Sequence, residues 1–431
     1  MVTILYLLDS LRLDHVGLFN REAAEITPNI DSLEKDSVKC LKHVAPASWT
    51  LPSLASILTG YHPAQINVNF NTDIIPAEIK RLPQYYKEKG YLTFAVSANP
   101  YFSQNFNAQE GFDDFRLLLD FKTFKKGDIS GIPTSSDINR NIFEIIEKNP
   151  GKNIFIMVWS LDTHNPYFLR DKKITQFVDP QDWEEIYSLE RIEKSKDEDD
   201  FRKIKNIYRN MVYYNDSQIG EMIRFLKSRK LFDSSTIAIL GDHGETLEKE
   251  GFGHNGPLSK EQIRVPLIFK LPKEKKHSFP LEIKHLTGMD NLLATLLKID
   301  FNLDLPGSRT VFEKYRDYIY STRGYAKDTY FYESILAEKF LAINTRPKKF
   351  SLIRDFKNLA KRILGRPVEK IVRKMVYDAE DRKAEFSLTR EEAEKLLLPV
   401  RSGFHKISSA QRIKKQDQEK VKKALKELGY N

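Results

Sequence analysis

The sequence predicts an α/β domain built on a large, mostly parallel sheet flanked by helices, followed by a smaller C-terminal α+β region. Two observations carry this. Short apolar runs alternate with amphipathic helical patterns through the first three quarters of the chain, and the runs end in polar residues suited to chemistry. In order, VTILYLL, YLTFAV, NIFIMVWSL, TIAIL and VPLIFKL read as buried strands. Each is short, rich in β-branched and aromatic residues, and bounded by Gly, Pro or Asp.

Between the strands, SWTLPSLASILTG (48–60) carries Leu54, Ile57 and Leu58 at helical spacing, with Thr50 two residues before Pro52. Thr50 there reads as a helix N-cap or as a nucleophile placed at a helix start. IYRNMVYYNDSQIGEMIRFLKS (207–228) reads as a longer amphipathic helix, and KSKDEDD (194–200) as a solvated loop or helix end. Near residue 315 the character changes to mixed strands, YIYSTR and YFYESILAEKFLAINT. The expected units are therefore 1–314 and 315–431. No repeat at solenoid spacing and no low-complexity tract is evident.

With 431 residues, 41% of them hydrophobic, the chain can bury a sizeable core. A single cysteine, Cys40, excludes an intrachain disulfide framework and any multi-cysteine metal site. The N-terminal apolar stretch meets Asp9 too soon for a spanning helix, so a cytoplasmic protein is expected. The formal charge of +9 favours anionic partners. Between Arg354 and Lys374, eight basic residues stand against two acidic ones, with apolar residues at near-helical spacing. Such a segment suits peripheral contact with an anionic membrane, or a helix packed on the domain with a solvated cationic face. No nucleic-acid motif is present, and no specific nucleic-acid partner is expected.

In parallel sheets ligands bind beyond the carboxyl ends of strands. The five apolar runs supply Asp9 and Ser10; Ser97 and Asn99; Asp162, Thr163 and His164; and Asp242 and His243 at four such ends. Taken singly, each is a turn former. Jointly, Asp9, Asp242 and His243 make a ligand set for one divalent cation, Mn, Mg, Ca or Zn.

The motifs resemble the sulfatase family of the alkaline phosphatase superfamily. LYLLDSLRLDHVG looks like the family's opening strand with its metal-binding Asp. TPNIDSLEKDSV and SWTLPSLASILTGYHP look like its TPN segment and nucleophile motif. LDTHNPY, IAILGDHGE, GFGHN and IRVPLIFKLP are similar to later elements, in the family's order, over about residues 2 to 300. The resemblance implies an alkaline-phosphatase-like sandwich. It implies Asp9, Thr50, Asp242 and His243 around a divalent metal, with His164 and His254 facing the transferred group or the leaving oxygen. Asn99 falls where sulfatases carry a Lys and a His for sulfate. A second metal, as in two-metal relatives, would take Asp162, His164 and His254 as ligands, but the Asp-x-His spacing in LDTHNPY differs from such sites and one metal is favoured, while Arg12 and His15 are expected to be structural.

The family's sulfatases use a formylglycine made from Cys or Ser, and Thr50 cannot give that aldehyde. A sulfo-threonine would have no internal route of release, whereas water can attack a phospho-threonine at phosphorus. The resemblance and the threonine together imply a metal-dependent hydrolase or transferase acting on phosphate or sulfate esters, with phosphoryl transfer favoured. The alternatives are a sulfatase working without formylglycine and, in another class, a non-catalytic protein that binds membrane or polyanion through residues 354–374.

Overall fold

The computed structural model describes residues 1–119, 132–167, 174–186, 197–248, 252–254, 258–314, 316, 318–323, 330–337 and 341–347. The basic segment 354–374 and the charged stretch KKQDQEKVKKALKELGYN, which reads as a terminal helix, lie outside the described residues. Strands β1 (Val2–Leu8), β2 (Ser37–Val44), β3 (Leu92–Ser97), β4 (Asp114–Leu117), β5 (Ile154–Ser160), β6 (Thr236–Gly241), β7 (Leu267–Lys270) and β8 (Glu282–Gly288) form one sheet in the order β4-β3-β5-β1-β6-β7-β2-β8. Every pairing is parallel except those that β7 makes with β6 and β2. Seven strands therefore run one way, and their carboxyl ends share one edge.

All positions of β1, β5 and β6 are buried, so both faces of the sheet centre are covered, which is why these strands read as unbroken apolar runs. The helices are α1 (Pro28–Asp31), α2 (Thr50–Thr59), α3 (Leu82–Glu88), α4 (Ser135–Lys148), α5 (Pro180–Ile186), α6 (Glu198–Ser228), α7 (Lys260–Ile263) and α8 (Leu292–Phe301). One group packs α4 against α6 and the strands β3 and β5, and a second packs α2 against α3 and α8. Asp197 caps α6 by accepting from the Asp199 N–H, so the acidic run ends as a helix start. No helix among the described residues is long and apolar enough to cross a membrane.

Three strands were not legible as apolar runs. β4 and β8 are the sheet edges, and β2 lies next to one of them. Partly buried Lys39 and Lys42 interrupt β2, and exposed Glu282 and Lys284 interrupt β8, as an edge facing water allows. Beyond the main sheet, β9 (Tyr318–Arg323), β10 (Tyr330–Ala337) and β11 (Leu341–Pro347) form an antiparallel sheet, the mixed strands expected there. β9 also holds the approach to α2: the Ser321 hydroxyl donates to the Ala45 carbonyl and the Thr322 N–H to that of Pro46.

At the opposite edge of the sheet a buried carboxylate ties three elements. Asp300 accepts hydroxyls from Thr3 at 2.6 Å, Tyr86 at 2.5 Å and Thr236 at 2.5 Å, joining the starts of β1 and β6 to α3 and α8. Replacing it leaves three buried hydroxyls without their acceptor. Asp300→Ala is expected to lower unfolding stability by about 2–4 kcal/mol, read as a fall in the urea midpoint with little change in slope.

Candidate active site

The register of the central strands builds the site. Leu8 pairs with Ser160 on one side and with Gly241 on the other, so the next residues, Asp9, Leu161 and Asp242, leave the sheet abreast. Asp9, Asp242 and His243 are fully buried, and one ligand atom from each lies within 4.8 Å of the others. The His243 Nε2 atom is 3.3 Å from Asp242 Oδ2, 3.6 Å from Asp9 Oδ1 and 3.5 Å from Thr50 Oγ1. Four candidate ligand atoms therefore surround one point.

Thr50 reaches this point from α2, and its role at the helix start differs from the sequence expectation. Trp49 takes the N-cap position with extended backbone (φ −162°, ψ 164°), and Thr50 is the first helical residue. From that position the hydroxyl is turned away from the first-turn N–H groups it would cap, and it lies 3.5 Å from Asp9 Oδ2. No side chain caps this turn. The helix therefore begins beside the candidate cation ligands, with the positive end of its dipole at the site. The Ser53 hydroxyl donates to the Asp242 carbonyl at 2.7 Å, fixing α2 to the end of β6.

The second contacts decide which ligand atoms stay available. Asp9 Oδ2 accepts from Asn99 Nδ2 and from the Trp159 indole N–H at 3.0 Å. Asp242 Oδ1 accepts from the Ser10 and His243 N–H groups at 3.0 and 2.8 Å, while Asp242 Oδ2 is buried with no hydrogen-bond donor. His243 Nδ1 lies 2.9 Å from the Gly244 carbonyl, an acceptor only, so that nitrogen carries the proton and Nε2 presents its lone pair. Hard oxygens, one imidazole and an orphaned buried carboxylate oxygen fit a divalent cation.

Electrostatics agree with the geometry. Burial pushes Asp242 well above the usual carboxylate range, and the Asp9 carboxylate adds to the effect. Burial would also raise Asp9, but the imidazoles of His164, His243 and His254, with the Trp159 N–H, outweigh it and hold this carboxyl below its ordinary value. His164 is brought down to about 4 by burial, against the pull of Asp9, so its ring is neutral at pH 7. The ring centroid of His254 lies 4.9 Å from that of His164 and 4.7 Å from that of His243. His164, His243 and His254 therefore meet at one centre.

Two residues were placed differently from expectation. Asn99 touches the site through Asp9, and its own carbonyl oxygen accepts from the Tyr101 N–H at 2.7 Å. Asp162 Oδ2 accepts from the Ser135 N–H and hydroxyl at 2.8 and 2.5 Å and from the Ser160 hydroxyl at 3.1 Å. The start of α4 thus captures this carboxylate, and among the described residues it forms no compact ligand group with His164 and His254. Arg12 binds Asp14 at 2.7 Å and the Glu245 carbonyl at 3.2 Å, in keeping with a structural part.

Sequence reading passed over Glu245 and Trp159. Glu245 is fully buried, raised to about 7 by burial with His164 and His243 opposing, and its Oε1 lies 3.3 Å from His254 Nδ1. The signal was present as a carboxylate two residues after His243, but neighbouring glycines made it read as part of a loop. Trp159 read as core because it lies within an apolar run.

Comparison with known proteins places this arrangement. Residues 2–299 match the family model described as Sulfatase. Iduronate 2-sulfatase of Homo sapiens is 24% identical over 332 residues, covering 62% of this chain and 59% of that protein. Phosphatidylethanolamine transferase Mcr-1 of Escherichia coli is 27% identical over 176 residues, 39% of this chain and 30% of that protein. The chain thus spans less than two thirds of the length of the curated relatives it matches. In fold it is similar to the phosphonate monoester hydrolase of Agrobacterium radiobacter, with a TM-score of 0.65 at 16% identity, covering 98% of this chain and 95% of that one.

A test follows from the raised Asp242. Burial and the Asp9 charge favour the protonated form of Asp242, whereas a cation favours the ionised form, so affinity for Mn is expected to fall as pH falls. Titration calorimetry in two buffers of different ionisation heat would measure the proton release, and Asp242→Asn should abolish it together with tight binding.

Proposed function

The chain belongs to the sulfatase family, and on that premise we propose that it is a metal-dependent phosphoesterase or phosphotransferase with Thr50 as its nucleophile. One observation carries the reading: a threonine hydroxyl, 3.5 Å from both Asp9 Oδ2 and His243 Nε2, occupies the start of α2 facing the candidate cation ligands. A threonine cannot become formylglycine, so the release route used by sulfatases is closed to it. The relatives support both branches of the family's chemistry, since they include sulfatases and a phosphatidylethanolamine transferase.

Asp9, Thr50, Asp242 and His243 would hold the cation. When bound, a divalent cation lowers the pKa of the Thr50 hydroxyl and offsets the charge of the ester. The ionised Thr50 oxygen attacks phosphorus, and a bond from Oγ1 to phosphorus forms as the ester P–O bond breaks. The leaving oxygen takes the bonding electron pair and a proton from His254, whose Nδ1 faces Glu245. Water, or an acceptor alcohol, then attacks phosphorus and gives its proton to an imidazole, while the Thr50 oxygen departs. His164, held neutral by burial, suits that accepting role. The first turn of α2 receives the phosphoryl oxygens on its N–H groups.

The test is a panel of aryl phosphate, phosphodiester, phosphonate and sulfate esters with Mn, Mg, Ca or Zn. Phosphorus esters are expected to turn over, and Thr50→Ala to lose at least ~10³-fold in rate. Turnover of the sulfate ester alone would instead favour a sulfatase without formylglycine. A separate expectation concerns His254→Ala: esters of poor alkoxide leaving groups should lose about 10²-fold or more, while 4-nitrophenyl esters, whose leaving group needs no proton, lose far less.

A further inference from the structure

The metal-ligand end of β1 is an unusual piece of backbone. Ser10 adopts φ +60°, a left-handed conformation that a non-glycine residue keeps only where its surroundings enforce it. This turn aims the Ser10 N–H at Asp242 Oδ1 and sends the chain on to Arg12. From the long helix α6, the hydroxyl of Tyr208 enters the turn and completes two bonds. It donates to the Ser10 carbonyl at 2.7 Å and accepts from the Arg12 N–H at 2.9 Å. Tyr208 is itself fully buried, with the rings of His15 and Tyr167 at its edges, 4.9 and 5.5 Å between centroids.

We propose that Tyr208 is a positioning residue for the cation site, its hydroxyl holding the left-handed turn that sets Asp9 and Asp242 in their relative places. The inference rests on the cation reading of Asp9, Asp242 and His243 given above. A hydroxyl has one proton to give and lone pairs to offer, and here one carbonyl and one N–H of the same turn use both. Phenylalanine keeps the packing but leaves the Ser10 carbonyl and the Arg12 N–H buried without their partner. The strained turn would then relax, moving the Ser10 N–H from Asp242 Oδ1 and freeing that carboxylate to rotate. Contacts that orient metal ligands in this way commonly set affinity by 10–100-fold.

The experiment measures Mn binding by titration calorimetry on metal-stripped full-length protein, comparing wild type, Tyr208→Phe and the control Tyr86→Phe. Tyr86 donates to Asp300 at the far edge of the same sheet, so its loss should lower Tm without reaching the site. The proposal expects Tyr208→Phe to raise the Mn Kd at least fivefold, and Tyr86→Phe to leave it within twofold. A Tyr208→Phe protein with lowered Tm and a smaller change in Kd would overturn it, since a merely structural residue gives that result. Hydrogen exchange on the metal-stripped wild type covers the case in which the variant does not fold. Protection of the segment 9–12 before Mn is added is expected, and protection acquired only with Mn would assign the turn to the cation and overturn the proposal. A wild type that takes up no Mn would remove the cation reading itself, a result distinct from an unaffected variant.

Discussion

Two fully buried carboxylates, Asp9 and Asp242, stand side by side because β1 lies between β5 and β6 in register. At a separation near 5 Å, two unit charges repel by about 3–4 kcal/mol with an effective dielectric of 20. That is a large share of the 5–15 kcal/mol by which a domain is typically stable. The sheet can hold both ionised only if positive charge lies between or around them. The surroundings split the pair in opposite directions, lowering the Asp9 carboxyl below its ordinary value and raising that of Asp242 through burial and the Asp9 charge. The juxtaposition thus stores a demand for a cation in the fold itself.

The surrounding elements maintain that demand rather than relieve it. Asn99 and Trp159 occupy one oxygen of Asp9, and the backbone N–H groups of Ser10 and His243 occupy one oxygen of Asp242. The other oxygens remain directed at His243 Nε2. The Thr163 hydroxyl fastens the Asp9 carbonyl at 2.5 Å, so the carboxylates have little backbone freedom with which to separate. Each of these donors comes from a strand or the loop directly after one, and the site inherits the stiffness of the sheet.

Legibility in the sequence followed burial. Strands covered on both faces, β1, β3, β5, β6 and β7, read as apolar runs, and their polar terminal residues could be joined into one site because parallel strands share an edge. β4 and β8 at the edges, and β2 beside β8, were hidden, since Asp114 and Arg116, Glu282 and Lys284, and Lys39 and Lys42 break their apolar pattern. In the site, residues whose chemistry is unmistakable at a strand end, Asp9, Asp242 and His243, stood out. Trp159 and Tyr208 did not, because an aromatic inside an apolar or amphipathic stretch is indistinguishable from core packing until its N–H or hydroxyl has a visible partner. Thr50 was seen but given a capping role that Trp49 holds, since a shift of one residue in a helix start lies below the resolution of sequence pattern.

The choice of threonine gains meaning from the helix that carries it. All ten residues of α2 are buried, and its first turn is bound through Ser53 to the carbonyl of Asp242. Thr50 and Asp242, the proposed nucleophile and the proposed cation ligand, are therefore tied into one unit. A β-branched side chain adds stiffness at χ1, so the direction of the hydroxyl is fixed by the same packing that fixes the helix. A serine in its place would offer the same oxygen with a freer rotor. Under the proposed function, the methyl group of Thr50 would serve catalysis by holding the hydroxyl in the narrow space between Asp9 and His243 before any substrate arrives.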